Sequence, residues 1–131
     1  MSSSLAKKYG LGGPLLASDP MADLSTVEGV HESLGEVQLV DCREQSEWDA
    51  GRIAGALHIP LNDVMAGVGT DILDLAKPVA VICRSGNRSE LASVMLQARG
   101  YDATNVEGGM EAWAAAGYEF SAPDGSPGRV A

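Results

Sequence analysis

The sequence contains few of the residues that build disulfide scaffolds and metal sites. Its 131 residues include two cysteines, Cys42 and Cys83, which are too few to staple a small secreted domain. The two histidines, His31 and His58, do not combine with these cysteines into the ligand spacing of a zinc site. We therefore predict no metal ion and no other cofactor.

Long apolar segments are also missing. Near the N-terminus, residues 11–17 are interrupted by glycines and a proline, so they suit neither an export signal nor a membrane span. We expect a cytoplasmic protein with no membrane partner, in a reducing compartment where a reactive thiol stays usable.

Positive charge is scarce. Nine Lys and Arg stand against eighteen Asp and Glu, and the net charge of −9 argues against nucleic acid as a partner. Four of the cations nevertheless lie in or near the segments assigned below to the active face, namely Arg43, Arg52, Arg84 and Arg88. A locally positive pocket in an acidic protein suits a small anionic substrate. Alternatively, Arg43 and Arg52 simply pair with neighbouring carboxylates, which would not exclude that interpretation.

The length and composition predict one ordinary globular domain with flexible ends. A chain of 131 residues supports a single hydrophobic core, and its apolar content of 45% is typical of soluble proteins. We expect residues 1–20 to be a loosely held arm and residues 21–120 to be the folded domain. Residues 121–131 are rich in Gly, Pro and Ser and are expected to form a flexible tail.

Short strand-forming runs alternate with helical stretches along this domain. Ser25 and Glu28 have the spacing of a capping box at the start of the first helix. Alternation of this kind predicts an α/β domain with a mainly parallel sheet, in which ligands bind beyond the carboxyl ends of the strands. The predicted strands are 21–24, 37–40, 56–59, 79–82 and 103–106, and the predicted helices are 25–34, 43–50, 90–99 and 110–116, with one or two helical turns within 70–75.

One segment carries the features of a reactive site. Residues 79–89, Val-Ala-Val-Ile-Cys-Arg-Ser-Gly-Asn-Arg-Ser, place Cys83 between an apolar strand and a helix. Backbone N–H groups at a helix start lack intrahelical partners and carry partial positive charge, so they bind anions and lower the pKa of a thiol. Arg84 and Arg88 add two charges. We therefore predict that Cys83 is a thiolate nucleophile rather than a buried, inert cysteine.

Three segments, in order and spacing, resemble the rhodanese family. The first segment is 39–44, Leu-Val-Asp-Cys-Arg-Glu, followed by Glu-Trp at 47–48 and Gly-Arg-Ile-Ala-Gly-Ala at 51–56. The second segment is the cysteine loop 83–89. The third is Gly-Gly at 108–109, followed by Ala-Trp at 112–113 and Ala-Gly at 116–117. The resemblance covers about residues 21–120. It implies a single-domain rhodanese-like sulfurtransferase with a central, mainly parallel five-stranded sheet and helices on both faces.

The resemblance also implies a chemistry. The cysteine takes a sulfane sulfur from thiosulfate or a similar anionic donor and passes it to a thiophilic acceptor, such as a small molecule or a sulfur-carrier protein. Here the Cys83 thiolate would attack the outer sulfur of the donor, form a persulfide and release sulfite. A general base is not needed if the thiol is already ionised.

The loop after the cysteine is expected to bind the substrate through its backbone N–H groups. Arg88 would close the loop, and Arg84 would attract the donor at its rim. Hydroxyl groups of Ser85 and Ser89 are candidate donors, although Ser89 is as good a candidate for a helix cap. The expected substrate-binding residues are Arg84, Ser85, Gly86, Asn87, Arg88 and Ser89.

Residues of the first segment have expected supporting roles. Asp41 and Arg43 match the family signature and are predicted to stabilise the active edge of the sheet by hydrogen bonding. Cys42 departs from the aliphatic residue common at that position, so it is either a redox partner of Cys83 or a core residue. Arg52 stands where the family often has histidine, and His58 where asparagine is frequent; we expect His58 to be structural and leave open whether Arg52 reaches the site.

Two other functions stay open at this stage. Cysteine-dependent phosphatases and arsenate reductases are disfavoured, since phosphatase loops have a C-x5-R spacing and Cys83 to Arg88 is C-x4-R. The domain could instead be a protein-docked persulfide carrier or a rhodanese-type binding or sensing module. The intact cysteine argues against a purely structural module.

Overall fold

The computed structural model describes residues 22–131, whose centre is a sheet of four parallel strands. The strands run in the order β2-β1-β3-β4, and every neighbouring pair is parallel. All four carboxyl ends therefore meet at one edge of the sheet. The strands are β1 (Gln38–Asp41), β2 (Leu57–His58), β3 (Val79–Ile82) and β4 (Ala103–Asn105).

Within residues 22–131, five α-helices and one short 3₁₀ helix surround the sheet. The longest of these helices directly follows β3, so its N-terminus lies at the carboxyl edge of the sheet. The helices are α1 (Val27–Glu32), α2 (Gln45–Ala50), α3 (Leu61–Ala66), α4 (Asn87–Ala98) and α5 (Gly109–Ala115), and the 3₁₀ helix is Thr70–Ile72.

Each face of the sheet packs against its own pair of helices. Successive side chains of a strand point to opposite faces, and all four residues of β3 are buried. On one face, Val79 and Val81 pack with Val64 of α3 and Leu96 of α4. A strand that is covered on both sides is continuously apolar, which explains the Val-Ala-Val-Ile run.

The opposite face is covered by α1 and α5. Ala80 and Ile82 of β3 pack there with Val30 of α1 and with Met110 and Trp113 of α5. Trp113 is fully buried, and its indole N–H donates to the carbonyl of Glu119 at 3.0 Å. The prediction of an α/β fold with helices on both faces of a parallel sheet is confirmed.

The start of the domain differs from the prediction. A fifth strand was expected at 21–24, but residues 22–24 do not join the sheet, and residue 21 lies outside the described residues, as does the expected arm 1–20. Asp23 turns the chain instead, since its carboxylate accepts from the N–H of Ser25 and its carbonyl accepts from that of Thr26. Thr26, not Ser25, then caps α1 by accepting from the N–H of Gly29 at 3.0 Å.

The segment 121–131, for which composition predicts a flexible tail, has defined contacts in the structure. Arg52 and Ser121 exchange two backbone hydrogen bonds, and the N–H of Arg129 donates to the carbonyl of Ala50 at 3.0 Å. A Cβ on Gly51 would lie 2.7 Å from the Cα of Gly128, so the two backbones approach closely. These contacts join backbone groups, which composition does not reveal.

A buried ion pair connects the end of β1 to the end of α2. The Arg43 Nε lies 2.9 Å from one Asp41 carboxylate oxygen, and Nη2 lies 2.7 Å from the other. Nη2 also donates to the carbonyl of Gly51 at 2.7 Å, and both side chains are at most 1% exposed. The predicted supporting pair thus holds together the strand and the helix that border the active edge.

Replacing Arg43 with methionine is expected to destabilise the protein by about 3–5 kcal/mol, because the Asp41 carboxylate would remain buried without its partner. Urea unfolding followed by circular dichroism measures this loss. Arg84→Met is the matched control, since Arg84 pairs with Glu111 on the surface, where both side chains are about half exposed. That change should cost about 0–1 kcal/mol. Equal losses in the two variants would contradict the structural role of Arg43.

Candidate active site

The site lies where β3 ends and α4 begins. Cys83 is the first residue after β3 and is 1% exposed. Gly86 precedes α4 with φ +109°, a conformation that side chains of L-residues rarely adopt. The chain therefore turns sharply, and residues 83–89 surround the cysteine sulfur as a compact loop, as the sequence predicts.

The first turn of α5 fixes the outer side of this loop. The N–H of Met110 donates to the carbonyl of Cys83 at 2.8 Å, and that of Glu111 donates to the carbonyl of Arg84 at 3.0 Å. These N–H groups have no partner within their own helix, so the loop satisfies them. A Cβ on Gly109 would lie 2.3 Å from the Cys83 carbonyl oxygen. Close approach of helix and loop thus requires the second glycine of the Gly-Gly motif.

Three donors of the loop point at the cysteine sulfur. The N–H of Gly86 lies 3.1 Å from Sγ, the hydroxyl of Ser89 lies 3.2 Å from it, and the N–H of Ser89 lies 3.4 Å from it. Ser89 is fully buried and does not cap α4, whose N-cap is Gly86. The sequence makes Ser89 a candidate both as a hydroxyl donor and as a helix cap. In the structure its hydroxyl faces Sγ as a donor and does not cap α4.

Further N–H groups of the loop remain available. In a trans peptide the N–H points away from the carbonyl, so the bonds from α5 turn the N–H groups of Arg84 and Ser85 away from that helix. Within residues 22–131, the N–H groups of Arg84, Ser85, Asn87 and Arg88 donate to no protein acceptor. The loop can therefore accommodate additional negative charge beside the sulfur.

The Cys83 thiol is strongly acidified. Its pKa is lowered to about 4, chiefly by a hydrogen bond from the Cys42 thiol, with further contributions from the Ser89 hydroxyl and the N–H groups of Ser89 and Gly86, while burial acts in the opposite direction. The same contact with Cys83, together with burial, raises the pKa of Cys42. Near neutral pH the pair therefore holds one proton, on Cys42, and Cys83 is a thiolate.

Asn105 and Glu90 extend the site in a way that the sequence analysis missed. The Ser89 hydroxyl lies 2.5 Å from the Asn105 side-chain oxygen, and the Asn105 amide donates to Glu90 at 3.1 Å. A hydroxyl has one proton, so the thiolate and the amide oxygen compete for it. Asn105 ends β4 and thus reaches the same edge as Cys83, which is the only sequence signal that could have identified it.

The two loop arginines are both paired with carboxylates. Arg88 makes a two-pronged ion pair with Glu47 of α2, at 2.6 and 2.8 Å. The hydrogen bond to Arg88 lowers the pKa of Glu47, and Glu47 also accepts from the N–H of Glu44 at 3.0 Å. Arg84 is 53% exposed at the rim and lies 3.1 Å from Glu111. Ser85 and Asn87 are exposed on the loop surface.

Arg52 and His58 pack around Trp48. The Trp48 ring stacks on His58 with centroids 4.6 Å apart, and the Arg52 guanidinium carbon lies 4.9 Å from the Trp48 centroid. The Nε2 of His58 lies 2.7 Å from the carbonyl oxygen of Arg43. Both residues thus have structural contacts beside α2, as expected for His58, and Arg52 joins this stack.

Two kinds of feature are absent from the described residues, a metal-ligand cluster and a membrane-spanning helix. No group of three or more His, Cys, Asp or Glu side chains in 22–131 is arranged to hold a metal ion. In the same part of the chain, no helix has the length and hydropathy required to cross a membrane.

The fold and the loop define an α/β protein with an acidified thiol at the carboxyl edge of a parallel sheet. The family model described as Rhodanese-like domain matches residues 26–116. The chain belongs to the rhodanese-like domain family, and the resemblance of its three segments is confirmed.

Three similar proteins illustrate this relationship. The chain is 42% identical to the protein named "Putative sulfurtransferase YtwF" from Bacillus subtilis (strain 168) over 78 residues. This matched region covers 60% of this chain and 74% of that protein. The crystal structure of a rhodanese-related protein from Thermoplasma volcanium matches with a TM-score of 0.68 and 32% identity, over 73% of this chain and 94% of that one. A Rhodanese-like domain protein from Staphylococcus aureus matches with a TM-score of 0.61 and 34% identity, over 67% and 87%.

The rate of Cys83 alkylation by iodoacetamide is expected to stay constant above about pH 6 and to fall at lower pH with a midpoint of about 4, because only the thiolate reacts. Ser89→Ala removes a donor to the charged form and should move the midpoint upward by about one to two pH units. Ser93→Ala is the control, since the Ser93 hydroxyl donates to the Ser89 carbonyl and not to sulfur. Equal midpoints in all three proteins would show that the Ser89 hydroxyl does not donate to the thiolate.

Gly86→Ala is expected to raise the pH at which half of the Cys83 thiol is ionised. The added methyl group disturbs both the φ of +109° and the N–H that faces Sγ. Gly55→Ala is the matched control: Gly55 has φ +86°, but nothing lies within 4 Å of its added Cβ. Both variants should lose about 1–2 kcal/mol of stability from the left-handed backbone. Titration of the thiolate by its ultraviolet absorbance tests the difference, and an unchanged midpoint in Gly86→Ala would count against a role for that N–H.

Proposed function

We propose that the protein is a sulfurtransferase in which the Cys83 thiolate accepts a sulfane sulfur from thiosulfate or a similar anionic donor. The observation that carries this proposal is the set of donors around Sγ, the Cys42 thiol first and then the Ser89 and Gly86 groups of the loop, which lower the pKa of Cys83 to about 4. Membership of the rhodanese-like domain family and the similarity to the protein named "Putative sulfurtransferase YtwF" support it.

The first step is a displacement at sulfur. The Cys83 thiolate attacks the outer sulfur of thiosulfate, a new S–S bond forms, and the S–S bond of the donor breaks. Sulfite leaves with the electron pair of that bond. Since the nucleophile is already ionised near neutral pH, this step needs no general base.

The loop is suited to hold the product of that step. A persulfide anion places negative charge one sulfur atom beyond Sγ. The N–H groups of Arg84, Ser85, Asn87 and Arg88 have no protein acceptor within residues 22–131 and can donate to it. Losing one such preorganised donor typically costs about 3–4 kcal/mol where charge develops.

The second step returns the sulfur to an acceptor. A thiophilic nucleophile, such as cyanide, a thiol or a sulfur-carrier protein, attacks the outer sulfur, and the Cys83 thiolate leaves. A thiol with a low pKa is a good leaving group, so the hydrogen bonds that prepare Cys83 for attack also assist its release.

Phosphoryl transfer is supported less well by the same residues. The spacing from Cys83 to Arg88 is one residue shorter than the C-x5-R of cysteine-dependent phosphatases. Moreover, the Arg88 guanidinium binds both carboxylate oxygens of Glu47, at 2.6 and 2.8 Å, and so is committed to a neighbouring helix. The short loop favours a single sulfur atom over a tetrahedral phosphoryl group.

The proposed transfer is tested by intact-protein mass spectrometry of samples quenched in acid shortly after mixing with thiosulfate. We expect a gain of one sulfur atom, its removal by cyanide with formation of thiocyanate, and neither signal in Cys83→Ser. An adduct that forms with a protein persulfide donor but not with thiosulfate would favour a protein-docked carrier. Absence of an adduct with every donor would overturn the sulfurtransferase proposal.

A further inference from the structure

The transfer scheme leaves one buried nucleophilic group unused, the thiol of Cys42. The parallel register of β1 and β3 pairs Asp41 with Ile82, so the next pair in register is Cys42 and Cys83. The N–H of Cys42 donates to the carbonyl of Ile82 at 3.0 Å, which continues the ladder beyond the end of β1. The two cysteines are therefore cross-strand neighbours.

Both thiols also lie on one face of the sheet. Cys42 and Cys83 belong to the same core cluster, together with Val40 and Val81, and are 0% and 1% exposed. Adjacent strands are about 4.7–4.9 Å apart, which falls within the Cα separation of about 4.4–6.8 Å that a disulfide spans. The Cα separation expected for this register is thus compatible with a disulfide between the two residues.

Building on the sulfurtransferase function proposed above, we propose that Cys42 is a resolving thiol that attacks the Cys83 persulfide and releases its outer sulfur as hydrosulfide. A bond forms between the sulfurs of Cys42 and Cys83 and the S–S bond of the persulfide breaks. The outer sulfur leaves with the electron pair of that bond and with the proton of Cys42. The products are a Cys42–Cys83 disulfide and HS⁻.

This step is balanced without an external oxidant. The sulfane sulfur gains two electrons and becomes sulfide, and the two cysteine sulfurs lose one electron each. The Cys83 thiolate, which raises the pKa of Cys42 in the resting protein, is absent once the persulfide has formed. The Cys42 proton passes to the outer sulfur as the attack begins, so the attacking group is a thiolate and the leaving group is HS⁻. A small thiol or dithiol then reduces the disulfide and restores both cysteines by exchange. The protein would thus convert the sulfane sulfur of thiosulfate into sulfide, with thiol as the electron donor.

An acceptor competes with Cys42 for the persulfide. A nucleophile in solution attacks the outer sulfur, which faces the loop, whereas Cys42 attacks the inner sulfur, which joins the core. Without an acceptor the persulfide would decay to disulfide, and with cyanide present it would give thiocyanate. The further activity is therefore visible when no acceptor is supplied.

The test follows the reduced protein over time after it is freed of reductant and mixed with thiosulfate in the absence of oxygen and acceptor. We expect the persulfide to appear and then decay, while about one equivalent of hydrosulfide per chain accumulates and the protein mass falls by two hydrogens relative to the reduced form. Peptide mapping should locate the bond between Cys42 and Cys83. A sample without thiosulfate should form no disulfide; if it does, the sulfane sulfur is not the oxidant and the proposal is overturned.

Cys42→Ser is the matched variant, because serine keeps a hydroxyl donor beside Cys83 but cannot form the disulfide. It should retain its persulfide and release no hydrosulfide. Cys42→Val lacks the donor that most lowers the pKa of Cys83, so it is assayed at a pH above that raised pKa. If circular dichroism shows that it is folded, it should also retain its persulfide and release no hydrosulfide. A wild-type persulfide that persists without hydrosulfide would overturn the role of Cys42 and leave the sulfurtransferase proposal standing. Absence of adduct, thiocyanate and hydrosulfide from every variant and the wild type would overturn the sulfurtransferase proposal itself.

Discussion

The site depends on two hydrogen bonds from the first turn of α5 to the loop that follows β3. The N–H groups of Met110 and Glu111 bind the carbonyls of Cys83 and Arg84, at 2.8 and 3.0 Å. Once these carbonyls face outward, the N–H groups of the same peptides face the other way. The direction of the two free N–H groups, those of Arg84 and Ser85, is thus a consequence of how one helix start docks against one strand end, and Gly109 permits that docking.

The thiolate is stabilised by nearby donors rather than by the charge of the whole protein. The net charge of −9 disfavours an additional anion, and both loop arginines are paired, Arg88 with Glu47 and Arg84 with Glu111. Short hydrogen bonds in a buried site act where solvent screening is weak, so a few donors outweigh distant carboxylates. An acidic surface and an acidified cysteine are therefore compatible in this protein.

Sequence patterns predicted the elements whose signals are local. The apolar run of β3 and the loop from Cys83 to Ser89 were predicted within a residue or two, because a buried parallel strand and a helix start have compositional signatures. The Ser89–Asn105–Glu90 contacts were not predicted, because they join residues 15 or 16 positions apart that no pattern connects. The expected strand at 21–24 failed for a related reason: a weak apolar run was outweighed by the hydrogen bonds of Asp23.

The return of the C-terminal segment to α2 has a consequence for where this domain ends. The family match stops at residue 116, yet the backbone beyond it bonds to Arg52 and to Ala50, the last residue of α2. That helix carries Glu47, the partner of the loop arginine Arg88. The segment that matches the family and the hydrogen-bonded unit therefore have different boundaries, and a chain shortened to residues 26–116 would lose the outer support of the helix that anchors its loop.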